Sequence, residues 1–490
     1  MKIKLAGFNA DIDILEDAKF FMTEGGPDSR ADAMTPETIS AAYARISRDP
    51  RPVDELRAAA IEDVAKARAS NKQIVFGMGH ESIAEHAALN FDIMGVSRLV
   101  IEAIEHARLC SYTEKSQRYT QLGEEFVVPR EIVEAGFEVE FRALMAEQYA
   151  AYCEIYEGIL AYLLAKNPNA DKDMRKAFEG KAKEDARYVT SLAVEGQLGM
   201  TCNARNLEHM IKRLLIHPLD EAKSVAKLLR DEGRNVTPSL LRYLDPTIEQ
   251  LTAVSELRKL SEESFDMAKY STKPNKEPVC LLNWDKDAEK KVMGALLYEH
   301  CGMDSKQCEK IWVRNNYKQK NRILKALFGP MQEWDAVPRA FELAEFRFEL
   351  IVSASCFAQL KRHRMATILP QDYNISLGFT VPPTVLEAGF GQKFKEIMDR
   401  SSVFYGKLLT HGLRDAATYV LTQAHRRRVL VKMNARELYH FSRLRQDSHA
   451  QWDIRNVADK MVAAARKTCP LVMLMACGKY DFQKRKQAIL

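Results

Sequence analysis

One motif occurs twice in this chain and is broken in a different place each time, so whatever fold it adopts must be built twice. Around His106 the first half reads HARLCSYTEKSQRY, and the second half reads RHRMATILPQDYNI from Arg362. The first copy keeps an acidic, hydroxyl and arginine tail, Glu114, Ser116 and Arg118. The second keeps a basic head, Arg362, His363 and Arg364. Neither copy is whole, but together they make one complete motif.

Further anchors fall in the same order in both halves, which is the signature of a duplicated architecture. GHESIAEHA, Gly79 to Ala87, takes the place of DAVPRAFEL, Asp335 to Leu343, and an apolar stretch follows each. A segment ending at Pro129 matches one ending at Pro382, and Glu-Ala-Gly-Phe comes next at Glu134 to Phe137 and Glu387 to Phe390. NARNLEHMIKRL from Asn203 pairs with NARELYHFSRLR from Asn434. A length of 490 residues suits two domains better than one. The first copy is placed at 1–245 and the second at 279–490. Between them, 246–278 reads as a charged, helical linker closed by Lys273-Pro-Asn-Lys-Glu-Pro278. VCLLNW from Val279 restarts the pattern that KIKLAGF opens at Lys2.

Local periodicity predicts an α+β fold, with long helices and a small mixed or antiparallel sheet in each copy. Helical spacing runs over Pro129 to Leu164 and Asp171 to Leu215, and over Val385 to Val420 and Val429 to Leu444. Leu89 to Val96 and Phe346 to Val352 alternate like strands shortly before each motif. Each motif is expected to leave a helix for a loop, which puts its arginines at a rim.

Composition excludes several classes. No apolar run approaches a membrane span, and the N-terminus lacks the apolar core of a secretory signal, so a cytoplasmic location is expected. Nine cysteines at these spacings read as free thiols rather than zinc ligands, and no metal is expected. A net charge of +5 is too mild to argue for a nucleic-acid polymer as partner. Arg362 and Arg364 flanking His363 make a positive cluster that calls for an anion or a carbonyl-rich ring. Glu114, Ser116, Gln117 and Arg118 supply an acceptor, a hydroxyl, an amide and a bidentate donor, a set suited to a sugar phosphate. Solvated loop charge is the bland reading of either group alone. Their shared repeat register favours recognition of a nucleotide.

RHR followed by a segment ending ExSxRY resembles the signature of flavin-dependent thymidylate synthases, and the resemblance spans nearly the whole chain as a tandem fusion of two subunits. GHESIAEH is similar to that family's histidine-rich element. Asn434 to Arg455, NARELYHFSRLRQDSHAQWDIR, is similar to its C-terminal flavin and nucleotide segment. The resemblance implies reductive methylation of dUMP at C5, with methylenetetrahydrofolate as carbon donor, FAD as hydride source and NADPH as reductant. It implies dUMP contacts at Gln359, Arg362, Glu114, Ser116, Gln117, Arg118, Arg187 and Arg445. It implies FAD contacts at Ser82, Glu114, Arg362, His363, Arg364, Asn434, Arg436 and His440. Arg445 and Arg362 would be the catalytic pair, acting on the uracil carbonyls. Sites in the family form between subunits, so a homodimer acting as a pseudo-tetramer is expected.

The losses are reciprocal. Gln359, Arg362, His363 and Arg445 correspond to Ala103, His106, Ala107 and Leu214 in the first copy. Glu114, Ser116, Arg118 and Arg187 become Pro370, Asp372, Asn374 and Thr418 in the second. One composite site is complete and its mirror is degenerate, although Arg213 beside Leu214 stands where it could shift into the vacant place. Asn203 and Arg205 are read either as helix-packing residues or as a residual flavin contact. His80 and His86 are read as flavin-pocket or core histidines, and His425-Arg-Arg-Arg428 as a solvated or interface face rather than an NADPH phosphate site. The rival functions are a flavoenzyme modifying another pyrimidine nucleotide at C5, and a non-catalytic nucleotide- or flavin-binding homologue.

Overall fold

A computed structural model of the protein describes residues 1–16, 31–264 and 277–489. The fold is α+β, and the duplication is visible strand by strand. In the first half β1 (Lys2–Phe8), β2 (Ala88–Ser97), β3 (Cys110–Glu114) and β4 (Glu195–Asn203) form an antiparallel sheet in the order β1-β2-β4-β3. In the second half β5 (Val279–Trp284), β6 (Glu345–Ser353), β7 (Thr367–Tyr373) and β8 (Arg426–Asn434) repeat it as β5-β6-β8-β7. Even the irregularity of the first strand is repeated, at Leu5/Gly7 in β1 and at Leu281/Asn283 in β5.

Alternation decides which face of each sheet is covered. Leu89, Phe91 and Ile93 of β2 are buried while Asn90 and Asp92 are exposed, and Phe346, Phe348 and Leu350 of β6 are buried in the same way. Ser97 and Ser353, the last residues of these two strands, cap the short helices Arg98–Ile104 and Ala354–Leu360 by accepting from Val100 N and Cys356 N. Asn203 and Asn434 end β4 and β8 and cap the helices Ala204–Leu215 and Ala435–Arg445. The next helix of each repeat, Asp220–Val236 or Trp452–Thr468, packs on its capped helix and on the first strand. Gly233 permits a close approach there, since a Cβ would stand 2.8 Å from Leu207 Cδ2.

The helical expectations are corrected in detail; Val385 to Val420, for example, is divided among Pro383–Glu387, Gly391–Thr410 and Arg414–Ala417. Asp171 to Leu215 is broken by β4, and Val429 to Leu444 begins inside β8. Leu198, Met200 and Cys202, like Val429, Val431 and Met433, are buried on alternate positions, so the period is two over these stretches. Pro129 to Leu164 is two helices, Arg130–Glu134 and Glu138–Lys166, parted at Gly136 with φ +80°. Each motif runs on from its loop into an edge strand, β3 or β7, rather than staying in a loop. The linker contains an exposed helix, Ile248–Ser264, with no buried residue; Lys273 to Lys276 lie outside the described residues.

The chain divides into two compact units that are not the two sequence copies. The described residues of Met1–Glu154, Thr190–Ser271 and Asp399–Leu421 make the first, and those of Ile155–Val189, Thr272–Met398 and Thr422–Leu490 make the second. Each unit therefore contains a segment of the other copy. In the first unit Tyr419, from the second copy, donates to buried Glu221 at 2.6 Å. Glu221 also accepts from Ser97 N at 2.6 Å. In the second unit Tyr188, from the first copy, donates to Asp453 at 3.0 Å, and Ser353 donates to the same oxygen at 2.6 Å. The core of the second unit is one cluster that includes Trp312, Phe341, Phe346, Phe348, Val431, Phe441 and Val462. Among the described residues no helix is long and apolar enough to cross a membrane.

Candidate active site

In the second unit the candidate residues converge on helix Ala354–Leu360. Its spacing puts Ser355 and Gln359 one turn apart on one face. After Leu360 the chain turns through Arg362, His363 and Arg364 before β7. Arg445 comes in from the last turn of helix Ala435–Arg445, an end that favours cations. Its guanidinium is held at three points. Nε donates to His363 Nε2 at 3.0 Å, Nη2 to the Gln359 carbonyl at 3.1 Å, and Nη1 to Gln359 Oε1 at 3.4 Å.

This arrangement changes the meaning of RHR. Arginine only donates, so His363 Nε2 must be the acceptor and Nδ1 must carry the proton, facing Glu437 Oε1 at 3.3 Å. Burial, reinforced by Arg445 and His440, holds the His363 imidazole well below its usual pKa, so it is neutral. Burial likewise pushes the Glu437 carboxyl up. His363 is thus an internal pivot rather than a third positive charge, and the exposed cation of the motif is Arg364, with Arg362 half-buried. His440 is exposed, its ring edge-on to His363 with centroids 5.8 Å apart.

Arg187 is brought into the same unit, although it belongs to the first copy. It is 7% exposed, at the end of helix Lys172–Ala186, and its Nη2 donates to Ser355 Oγ at 2.8 Å. Asn434 and Arg436 are already engaged. The Asn434 oxygen caps its helix through Glu437 N at 2.8 Å, and Arg436 donates to the Val337 carbonyl and to Glu342.

The remaining candidates lie in the first unit. Glu114 ends β3 with an oxygen 3.5 Å from buried Arg98, which also pairs with Glu102 at 3.8 Å. Ser116 and Gln117 line a cavity of about 280 Å³ together with Lys115, Thr120, Glu125 and Glu195. The Ser116 hydroxyl accepts from Arg118 N at 3.2 Å, which shapes the turn carrying the Arg118 side chain. Ser82 is exposed on the 3₁₀ turn Glu81–His86. His86 packs edge-on against Tyr43 with centroids 4.9 Å apart.

The degenerate counterpart is partly rebuilt in the first unit. Arg213 donates to the Ala103 carbonyl at 2.7 Å and sits 3.1 Å from His106 Nδ1. Ala103 is the equivalent of Gln359, so Arg213 has taken the bond that Arg445 makes, from one position earlier on its helix. Arg205, the counterpart of Arg436, pairs with Glu85 at 2.5 Å. The arginines of the basic run on β8 are engaged within the fold. Arg428 pairs with Glu349 at 2.6 Å, Arg427 lies over Tyr373 at 4.3 Å, and Arg426 donates to Thr380 at 2.8 Å.

The thymidylate synthase complementing protein family matches residues 31–239 and again 281–471, once in each repeat. The chain belongs to this family. A relative from Thermoplasma acidophilum, described as UPF0159 protein Ta1429, is 23% identical over 81% of this chain and 86% of its own length. The flavin-dependent thymidylate synthase of Clostridium tetani is 29% identical over 83% of its length but only 43% of this chain, as expected when one tandem chain holds two family subunits. The solved structure of the UMP/dUMP methylase PolB from Streptomyces cacaoi aligns with a TM-score of 0.34 at 20% identity, over 41% of this chain and 95% of that one.

The family resemblance pointed to Arg445, Gln359 and Arg187 but not to what joins them. Gln359 Nε2 donates to Gln451 Oε1 at 2.6 Å, and Gln451 Nε2 donates to the Tyr188 hydroxyl at 2.6 Å. The available signal was the repeat itself, because Tyr188 and Tyr419 occupy matching positions. Among the described residues no group of three or more His, Cys, Asp or Glu side chains is placed to hold a metal ion.

Proposed function

We propose that this protein is a flavin-dependent thymidylate synthase that converts dUMP to dTMP, and that residues divided between its two copies serve one nucleotide. The observation that carries this reading is the fixed guanidinium of Arg445, pinned between neutral His363 and Gln359 in the unit that also receives Arg187 from the other copy. Family membership and the flavin-dependent thymidylate synthases among its relatives support it.

On this reading Arg445 and Arg362 face the uracil carbonyls. A donor held at three points loses little on reorganising as negative charge grows on the ring, and so makes C5 more nucleophilic. Gln359 of the second copy and Arg187, Ser116, Gln117 and Arg118 of the first hold the phosphate and ribose, which fixes the ring's position. FAD supplies hydride when bound. The residues fit such a group in part. Exposed Arg364 and half-buried Arg362 give a cationic rim suited to a pyrophosphate, and the Asn434 amide NH₂ remains to donate once its oxygen has capped the helix. Ser82, Glu114 and Arg436 complete the flavin set that the resemblance implies, with His363 setting the orientation of Arg445.

The test is anaerobic turnover of dUMP with methylenetetrahydrofolate and NADPH by the FAD-loaded protein, with dTMP measured by chromatography. Formation of dTMP, abolished by either Arg118→Ala or Arg362→Ala, is expected. Arg445→Ala should lower kcat by about a hundredfold, as loss of one preorganised donor does elsewhere, with a smaller change in dUMP affinity. Flavin that is reduced without dTMP formation would move the substrate to another pyrimidine. Failure to bind flavin would remove the enzyme reading.

A further inference from the structure

The polar chain leaving Arg445 has a direction that its chemistry alone dictates. Arg445 cannot accept, so Gln359 must turn its oxygen toward it and its NH₂ toward Gln451. Gln451 must then present its oxygen to Gln359 and its NH₂ to Tyr188. Tyr188, whose hydroxyl burial pushes well above its usual pKa, stays protonated and donates to Asp453. The Gln451 NH₂ also lies 3.5 Å from Ser355 Oγ, the atom that receives Arg187. Gln451 is fully buried and touches both branches.

The duplicated repeat supplies an internal control. The tyrosine–carboxylate contact exists in both units, as Tyr188 with Asp453 and as Tyr419 with Glu221, so that contact belongs to the fold. Gln451 precedes helix Trp452–Thr468, and the residue in that position before helix Asp220–Val236 is Leu219. The glutamine is present only in the unit that has Gln359, Arg445 and Arg187.

We propose that Gln451 is a positioning residue for the nucleotide phosphate: it receives one N–H of the Gln359 amide, leaving the other to donate, and steadies Ser355 under Arg187, so that Gln359 and Arg187 present preformed donors to a phosphomonoester. This rests on the reading of dUMP as substrate. Without Gln451 only the long 3.4 Å contact from Arg445 Nη1 fixes the Gln359 amide, which could then rotate and offer its oxygen to the anion, which repels it.

The experiment compares dUMP and deoxyuridine binding to the full-length, FAD-loaded protein by calorimetry, in wild type, Gln451→Leu and Tyr419→Phe. The ratio of the two dissociation constants isolates the phosphate. Gln451→Leu, which copies the other unit, should cut this ratio about tenfold while leaving deoxyuridine affinity in place, the size expected for one charge-assisted hydrogen bond. Tyr419→Phe should lower the melting temperature without moving the ratio. Gln451→Met, of equal length, serves if the leucine variant does not fold. A ratio within twofold of wild type in a folded Gln451 variant would overturn the proposal. Wild type that binds dUMP no better than deoxyuridine would overturn the substrate reading beneath it.

Discussion

Two buried histidines show how one residue type takes different roles under the same physical pressure. His363 is held neutral by burial and anchors Arg445. His425 lies between β8 and the turn before it, where burial lowers its pKa to about 4 and its Nδ1 receives Thr422 N at 3.0 Å. A base with a depressed folded pKa takes up its proton only in the unfolded chain, so stability is lost as pH falls below the unfolded value of about 6.5. Relative to His425→Gln, wild type should lose about tenfold in its folding constant per pH unit between roughly 6.5 and 4. Urea unfolding at several pH values checks this. A gap between the two proteins that does not change with pH would mean that His425 is protonated in the fold.

At the scale of elements, the duplicated caps separate structure from ligand binding. Asn203 and Asn434 both accept from a backbone N–H three residues on, at 2.9 and 2.8 Å. Replacing either with alanine should cost about 1 kcal/mol of stability. Only Asn434→Ala should also weaken FAD binding, as read by flavin fluorescence; equal loss in both variants would assign flavin to both units, and loss in neither would leave Asn434 a cap alone. The long helices Glu138–Lys166 and Gly391–Thr410 and the strands β2 and β6 were legible from spacing because those signals are local. β4 and β8 were not, because their alternating residues, Leu198 to Cys202 and Val429 to Met433, sit between strong helical stretches whose longer period swallowed them. Tertiary pairing with β2 and β6 settles their state.

For the whole molecule, the exchange of segments makes each half incomplete alone. Residues 1–264 expressed separately lack Asp399–Leu421, which includes the partner of buried Glu221 and the buried Val420 and Leu421. Residues 277–490 lack Ile155–Val189, and with it Tyr188 and the Asp185 that accepts from Trp452 at 2.8 Å. Exposed apolar surface and unpaired buried carboxylates drive aggregation. Each fragment should be insoluble by itself, and the two should become soluble and co-purify when expressed together. A soluble, cooperatively folding 1–264 fragment would show that the exchanged segment is dispensable.

The sequence alone determined that the chain is a duplication, that the motif losses are reciprocal, and which family the two repeats resemble. Those conclusions follow from order and identity along the chain, and the family match to both halves agrees with them. Only the tertiary structure decided that His363 is a neutral pivot, that Arg213 replaces Arg445 from a neighbouring position, and that Arg187 and Tyr188 pack among residues of the other copy. The physical reason is distance along the chain. Burial, tautomer and hydrogen-bond direction are set by groups roughly one to three hundred residues apart in sequence, and no local periodicity carries that information.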